Sequence, residues 1–152
     1  MRPATEADVP ALAAIRATPE VSSRWPIDDD DAEETVRDDL DGDDTESFVI
    51  EHEGRVVGYI QFGEETDEMY RHAGIDLYLD PAVHSRGLGT DAVRTLARHL
   101  FTERGHHRLV IDPAADNTAA IRAYSKVAVG VMREYGLGPV GLLMEMLAGD
   151  LQ

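Results

Sequence analysis

The sequence contains no cysteine. Disulfide bonds, thiolate metal sites and a cysteine nucleophile are excluded together, so any covalent chemistry needs another group. Positive charge is scarce as well: 14 Lys and Arg residues stand against 30 Asp and Glu, for a formal net charge of −16. A field of that sign repels phosphate backbones and attracts cations, which argues against nucleic acid as a partner. Long apolar runs are missing too. Nothing approaches the ~20 consecutive apolar residues that span a bilayer, and no apolar stretch follows Arg2 as a secretory signal requires. The expectation is a soluble, cytoplasmic protein without membrane partners. By itself the acidity is explained by solubility, so a bound polycation needs separate support.

What is present fits one ordinary core. A chain of 152 residues, 43% hydrophobic, is expected to form a single domain over 1–152. Thr5 to Ala17 reads as a first helix, capped by Thr5 with Val9, Leu12 and Ile15 on one face. A weaker pattern of Ala32, Val36 and Leu40 in an acidic stretch predicts a second over 31–41. Ser47–Glu51 and Val56–Phe62 are β-rich runs joined by Glu53-Gly54, a hairpin cue. Alternation over Gly74–Asp80 predicts another strand ahead of Pro81. A helix follows with Ala92, Val93, Leu96 and Leu100 at helical spacing and Gly105 as its stop; then come a strand at Arg108–Asp112, a helix over Asn117–Lys126, and two closing strands at 130–135 and 141–147. Composition alone leaves 142–147 open to a helical reading.

Between the third strand and the next helix lies His84-Ser85-Arg86-Gly87-Leu88-Gly89-Thr90. Glycines at a helix N-terminus let backbone N–H groups close on an anion, although a plain strand-to-helix turn has the same look. The spacing is neither that of a Walker loop nor that of a dinucleotide-binding turn. It resembles the Gln/Arg-x-x-Gly-x-Gly/Ala loop of the GNAT acetyltransferase superfamily, with His84 at the usual Gln/Arg position. The superfamily's Asn-x-x-Ala-x-x-x-Tyr-x-Lys pattern recurs at Asn117, Ala120, Tyr124 and Lys126, one strand further on.

The resemblance implies an α+β fold: a mixed, mostly antiparallel twisted sheet flanked by helices, whose splayed central strand pair holds the cofactor, acetyl-CoA. It implies that His84 to Thr90 (His84, Ser85, Arg86, Gly87, Leu88, Gly89, Thr90) cradle the pyrophosphate and that the Leu77, Tyr78 and Leu79 backbone pairs with the pantetheine arm. Asn117, Ala120, Tyr124 and Lys126 complete the cofactor side. Within the superfamily, residues 74–127 look most like aminoglycoside 6′-N-acetyltransferases. That likeness gives Asp76 as the base for the attacking amine, Tyr124 as the acid for the departing thiolate, and Asp112 with Trp25 as substrate contacts. The acidic run Glu64, Glu65, Asp67 and Glu68, read as a loop before Asp76, forms a pocket wall in the same picture.

Chemistry asks for a carboxylate or an ordered water as base at this place, because an ammonium must lose a proton before it attacks a thioester. Each residue also has a plainer reading: Asp76 as a solvent-facing or Arg-paired strand residue, Asp112 as a turn former before Pro113, Tyr124 as a packed helix tyrosine, the acidic run as a solvated surface. The six histidines show no ligand-like spacing, so no metal site is expected, and His106-His107 reads as an exposed turn. After Lys126 the sequence departs from the family's Gly-Phe continuation, and Tyr135–Gly141 is a compact link; either a turn is shortened there or residues are absent. The partner expected is a small cationic amine, an aminoglycoside, acetylated by a monomer or homodimer. The alternatives are another amine (a polyamine, a protein N-terminus, a siderophore-precursor lysine) and a non-catalytic acyl-CoA-binding module.

Overall fold

The computed structural model describes residues 1–114, 116–127, 131–135 and 141–150. Close packing groups the chain into two compact units that alternate along the sequence, Met1–Phe62 with Leu77–Gly89 and Gly63–Asp76 with Thr90–Gln152.

The first unit begins with a strand stub, β1 (Arg2–Pro3), paired antiparallel with Val49 and Phe48 of β2 (Thr45–His52). Thr5 then starts a helical stretch. Its N–H donates to the Asp8 carboxylate at 2.8 Å, while the Asp8 N–H donates to the Thr5 carbonyl at 2.9 Å, which occupies amides that a helix start leaves unpaired. The helix expected over 5–17 is therefore divided into a 3-10 turn, Glu6–Asp8, and α1 (Val9–Arg16). A single turn, α2 (Pro19–Ser22), and α3 (Ala32–Leu40) follow. Asp31 caps α3 by accepting from the Glu34 N–H at 3.0 Å. Nine acidic-rich residues do not hold a helix in water by themselves. Val36 docks into a core of Val9, Leu12, Ile15, Val21, Val49, Tyr59 and Tyr78, and each such side chain contributes about 1.5–3 kcal/mol by leaving water.

Glu53 (φ 52°) and Gly54 (φ 76°) form the left-handed turn into β3 (Arg55–Glu65), as the hairpin cue requires. β3 runs three residues beyond the predicted Phe62, so Glu64 and Glu65 end a strand instead of lying in the connecting loop. β4 spans His72–Leu79. A Cβ at Gly58 of β3 would lie 2.6 Å from the Tyr78 carbonyl oxygen and 2.7 Å from Leu79 Cδ2.

In the second unit β4 pairs parallel with β5 (Arg108–Ile111), Ala73 opposite Leu109 and Gly74 opposite Val110. β7 (Gly141–Leu147) pairs antiparallel with β5 on one side and with β6 (Val131–Tyr135) on the other. Strand, not helix, is the outcome for 141–147: Met144 and Met146 are buried, Glu145 and Leu147 are not, the period of two that a strand imposes. α4 (Leu88–Thr102) buries Ala92, Val93, Leu96, Ala97 and Leu100 along one face and gives way to Gly105 at φ 69°. α5 (Thr118–Tyr124) lies between β5 and β6 in sequence.

The seven strands run β1-β2-β3-β4-β5-β7-β6, a mostly antiparallel sheet with one parallel pair and accompanying helices, the architecture expected above. No described helix is long and apolar enough to cross a membrane. The stretches where a shortened turn and a compact link were expected, 128–130 and 136–140, lie outside the described residues.

The Gly58 contact is with backbone, which cannot swing away as a side chain can. Gly58→Ala is expected to cost about 1–3 kcal/mol, the range for overpacking a tight site. Urea unfolding measures it, and an unchanged midpoint would contradict the close approach.

Candidate active site

In the first unit, β4 ends at Leu79 and the chain passes a 3-10 turn, Pro81–Val83, before reaching His84. The His84 ring returns to β4, its Nε2 donating to the Leu79 carbonyl at 3.1 Å. Ser85 (φ 64°) and Gly87 (φ 78°) are left-handed and lead into Leu88, the first residue of α4. His84 to Gly87 are exposed, and nothing lies within 4 Å of the position a Gly87 Cβ would take. Gly89 sits close over β4, its would-be Cβ 3.3 Å from Leu79 Cδ1 and 3.7 Å from Leu77 Cδ1. An exposed loop that leads into the first turn of a 15-residue helix, where N–H groups have no intrahelical partner, and the exposed Arg86 beside it are groups that could hold a pyrophosphate.

The second unit holds the candidate acid and base. Asp76 is exposed on β4 between buried Ile75 and half-buried Leu77. Tyr124 ends α5 and is 9% exposed. Burial pushes its phenol above the ordinary tyrosine value, and the negative charge of Asp76 adds to that push. The fold thus brings the two predicted catalytic residues into one electrostatic environment. Asn117 caps α5 by accepting from the Ala120 N–H at 3.3 Å, and the buried Thr90 hydroxyl of α4 donates to the Ala123 carbonyl at 3.3 Å, so the motif residues also fix the helix that carries Tyr124. Lys126, the only lysine in the chain, is exposed just past α5. Asp112 is exposed directly after β5.

One expectation needs correction. His106 is not in an exposed turn: it is 1% exposed, its Nε2 donating to Glu64 Oε2 at 2.5 Å, while Nδ1 is buried without a partner. His107 is exposed. Glu64, expected at the pocket wall, has its other oxygen held by Arg104 at 2.5 Å, so both of its carboxylate oxygens are engaged inside the fold. Glu65 remains exposed. Among the described residues no group of three or more His, Cys, Asp or Glu is placed to hold a metal ion.

Trp25 is half-buried in the first unit, edge-on to Tyr59 at 6.1 Å and to Tyr78 at 5.1 Å. Beside it stands a residue that sequence reasoning passed over, Arg16, 4% exposed on α1. Its signal was available: a cation four residues after Leu12, on the apolar face of its helix.

Arg104 holds the Glu64 carboxylate below the usual range, with His106 adding to the effect and burial opposing it. A depressed carboxylate contributes stability that is fully present above the unfolded value of about 4.3 and is lost as pH falls through the folded value. Glu64→Gln is expected to cost roughly 2 kcal/mol at pH 7, as for a hydrogen bond to a charged group, with the deficit vanishing at acid pH. Thermal unfolding of both proteins between neutral and acid pH checks this, and a deficit independent of pH would overturn it.

Residues 1–128 match the family model for the acetyltransferase (GNAT) domain. Among solved structures, the chain resembles AAC(6')-Ib in complex with paromomycin and acetyl-CoA, at 21% identity and TM-score 0.84 over 98% of this chain and 93% of that one. Further structures of that aminoglycoside acetyltransferase carry coenzyme A with ribostamycin or kanamycin. The chain also resembles a chimera of Vibrio cholerae spermidine N-acetyltransferase SpeG, at 16% identity and TM-score 0.75 over 99% and 95%. Mycobacterium smegmatis RimJ with CoA-disulfide is similar at 22% and 0.76 over 99% and 82%.

Proposed function

The chain belongs to the GNAT acetyltransferase family, whose acyl donor is acetyl-CoA, and we propose that it is a single-domain N-acetyltransferase whose substrate is the 6′-amine of an aminoglycoside. The observation that carries this reading is the placement of exposed Asp76 and buried Tyr124 in one unit, where the carboxylate's charge reaches the phenol. Acetyl-CoA supplies a thioester, which a neutral amine attacks directly in a ternary complex to leave an amide and a thiol. The residues around that step bind, orient and move protons. The amides and side chains of His84 to Thr90 hold the pyrophosphate, the backbone of Leu77 to Leu79 pairs with the pantetheine arm, and Lys126 adds the charge beyond Tyr124.

Asp76 accepts the proton that the substrate ammonium must lose. Its exposure, on a strand that buries Ala73, Ile75 and Tyr78, suits a substrate-facing base. Tyr124 holds the proton needed by the leaving sulfur. Since burial and the Asp76 charge keep its phenol above the ordinary value of about 10, Tyr124 stays an acid across the working range. Asp112, Glu65 and Trp25 are the proposed contacts to the remaining ammonium groups and sugar faces. The net charge of −16 favours a polycation by steering.

A polyamine is the second reading, because the same acidity and the likeness to the spermidine enzyme chimera suit a linear polycation equally. The protein, cytoplasmic in this reading, acts as a monomer or homodimer.

Thiol release from acetyl-CoA with kanamycin, tobramycin and amikacin, set beside spermidine and N-terminal peptides, decides among these. Turnover of aminoglycosides is the expected result; activity on spermidine alone selects the second reading, and silence with every amine despite calorimetric binding of acetyl-CoA would indicate a non-catalytic binding module. Asp76→Asn is expected to lower kcat/KM for the amine by about 10²-fold or more, the usual size of a general-base contribution. Tyr124→Phe should lower kcat with little change in the amine KM. In the parent, kcat should show no alkaline fall below about pH 10, and a fall near pH 8 would contradict Tyr124 as the acid.

A further inference from the structure

Arg16 is a buried cation that the proposed chemistry does not use. Its guanidinium is shared among several partners of the first unit. Nε donates to the Trp25 carbonyl at 3.1 Å, Nη2 to the Pro26 carbonyl at 2.8 Å and Nη1 to Asp39 Oδ2 at 2.5 Å. The same group lies over the Trp25 ring at 5.2 Å from its centroid and over the Tyr78 ring at 5.7 Å.

This set of contacts has a specific logic. Trp25 and Pro26 follow α2 and lie in no helix or strand, so no helical or sheet ladder fixes their carbonyls. A planar fork holds two successive carbonyls in a way that a lysine ammonium does not reproduce. Stacking on the indole fixes the ring plane as well as the backbone. Asp39 neutralises the buried guanidinium, so the arrangement adds no net positive charge to a face meant for cations. A hydrophobic residue at position 16 would fill the core; it would leave both carbonyls without these donors and the indole without the guanidinium over it.

We infer that Arg16 is a positioning residue for substrate specificity: it fixes the Trp25–Pro26 segment in the pose that receives the cationic amine. The inference deepens the proposed function and rests on its assignment of Trp25 to the substrate side.

Trp25 is the only tryptophan of the chain, so its emission reports this one place. Parent, Arg16→Lys and Asp39→Asn proteins are titrated with kanamycin and with spermidine while Trp25 emission is followed, and kcat and both KM values are measured by thiol release. The parent should give a saturable emission change. Arg16→Lys should shift Trp25 emission to the red, weaken the amine response and raise the amine KM roughly tenfold, since small misplacement of a positioned group is costly, while the acetyl-CoA KM stays unchanged. Asp39→Asn should move the same quantities in the same direction by less, and it carries the test if Arg16→Lys does not fold. An active parent whose variants lose thermal stability yet keep the amine KM and the emission response overturns the positioning role and leaves the proposed function standing. If the parent acetylates no amine, the proposed function falls, and the emission titration alone decides: a response weakened by Arg16→Lys upholds the positioning role, and an unaltered or absent one removes it.

Discussion

The end of β4 is gripped from two sides by positions without side chains. Gly58 of β3 approaches the Tyr78 carbonyl and Leu79 so closely that a methyl group would overlap backbone, and Gly89 of α4 rests on Leu77 and Leu79. The hydrogen bond from His84 to the Leu79 carbonyl closes the same corner. Close-packed interiors transmit such constraints without slack, so the strand that would meet a pantetheine arm and the loop that would cradle its phosphates are set by one packing problem. The loop's left-handed residues, Ser85 and Gly87, follow from having to leave a fixed strand end and enter a helix within a few residues.

The second unit works by electrostatics. A tyrosine at the end of α5 is sunk into apolar surroundings, and the carboxylate of Asp76 raises its phenol further. A buried phenol and an exposed carboxylate thus share one electrostatic environment, and no metal ligand set accompanies them among the described residues. The cost of burying that phenol falls on α5, and the capping Asn117 and the Thr90 hydrogen bond to Ala123 offset part of it.

Much of this was legible in the sequence where the signal is local. Helix periodicity marks α4 over its buried face, Glu53-Gly54 marks its hairpin, and the glycine loop with the Asn-Ala-Tyr-Lys pattern marks the family, because each depends on neighbours within one or two turns. Length of β3 was misjudged for the opposite reason. Gly63 and two glutamates look like a turn, yet Glu64 is held by Arg104 and His106, 40 and 42 positions away. His106 beside His107 carries no sign of which one turns inward. Arg16 likewise answers to Asp39, 23 positions along. Long-range polar pairs leave only a faint local trace, a charge where periodicity asks for an apolar residue.

Lys126 has a further meaning in a protein assigned to acetyl transfer. It is the chain's sole side-chain amine, while the other cationic positions are arginines and histidines. Guanidinium groups stay protonated at any working pH, which leaves them without the neutral lone pair that attacks a thioester. A surface built this way offers the bound acyl group almost nothing of its own to modify. Among the side chains, Lys126 alone carries an amine that a thioester could acylate.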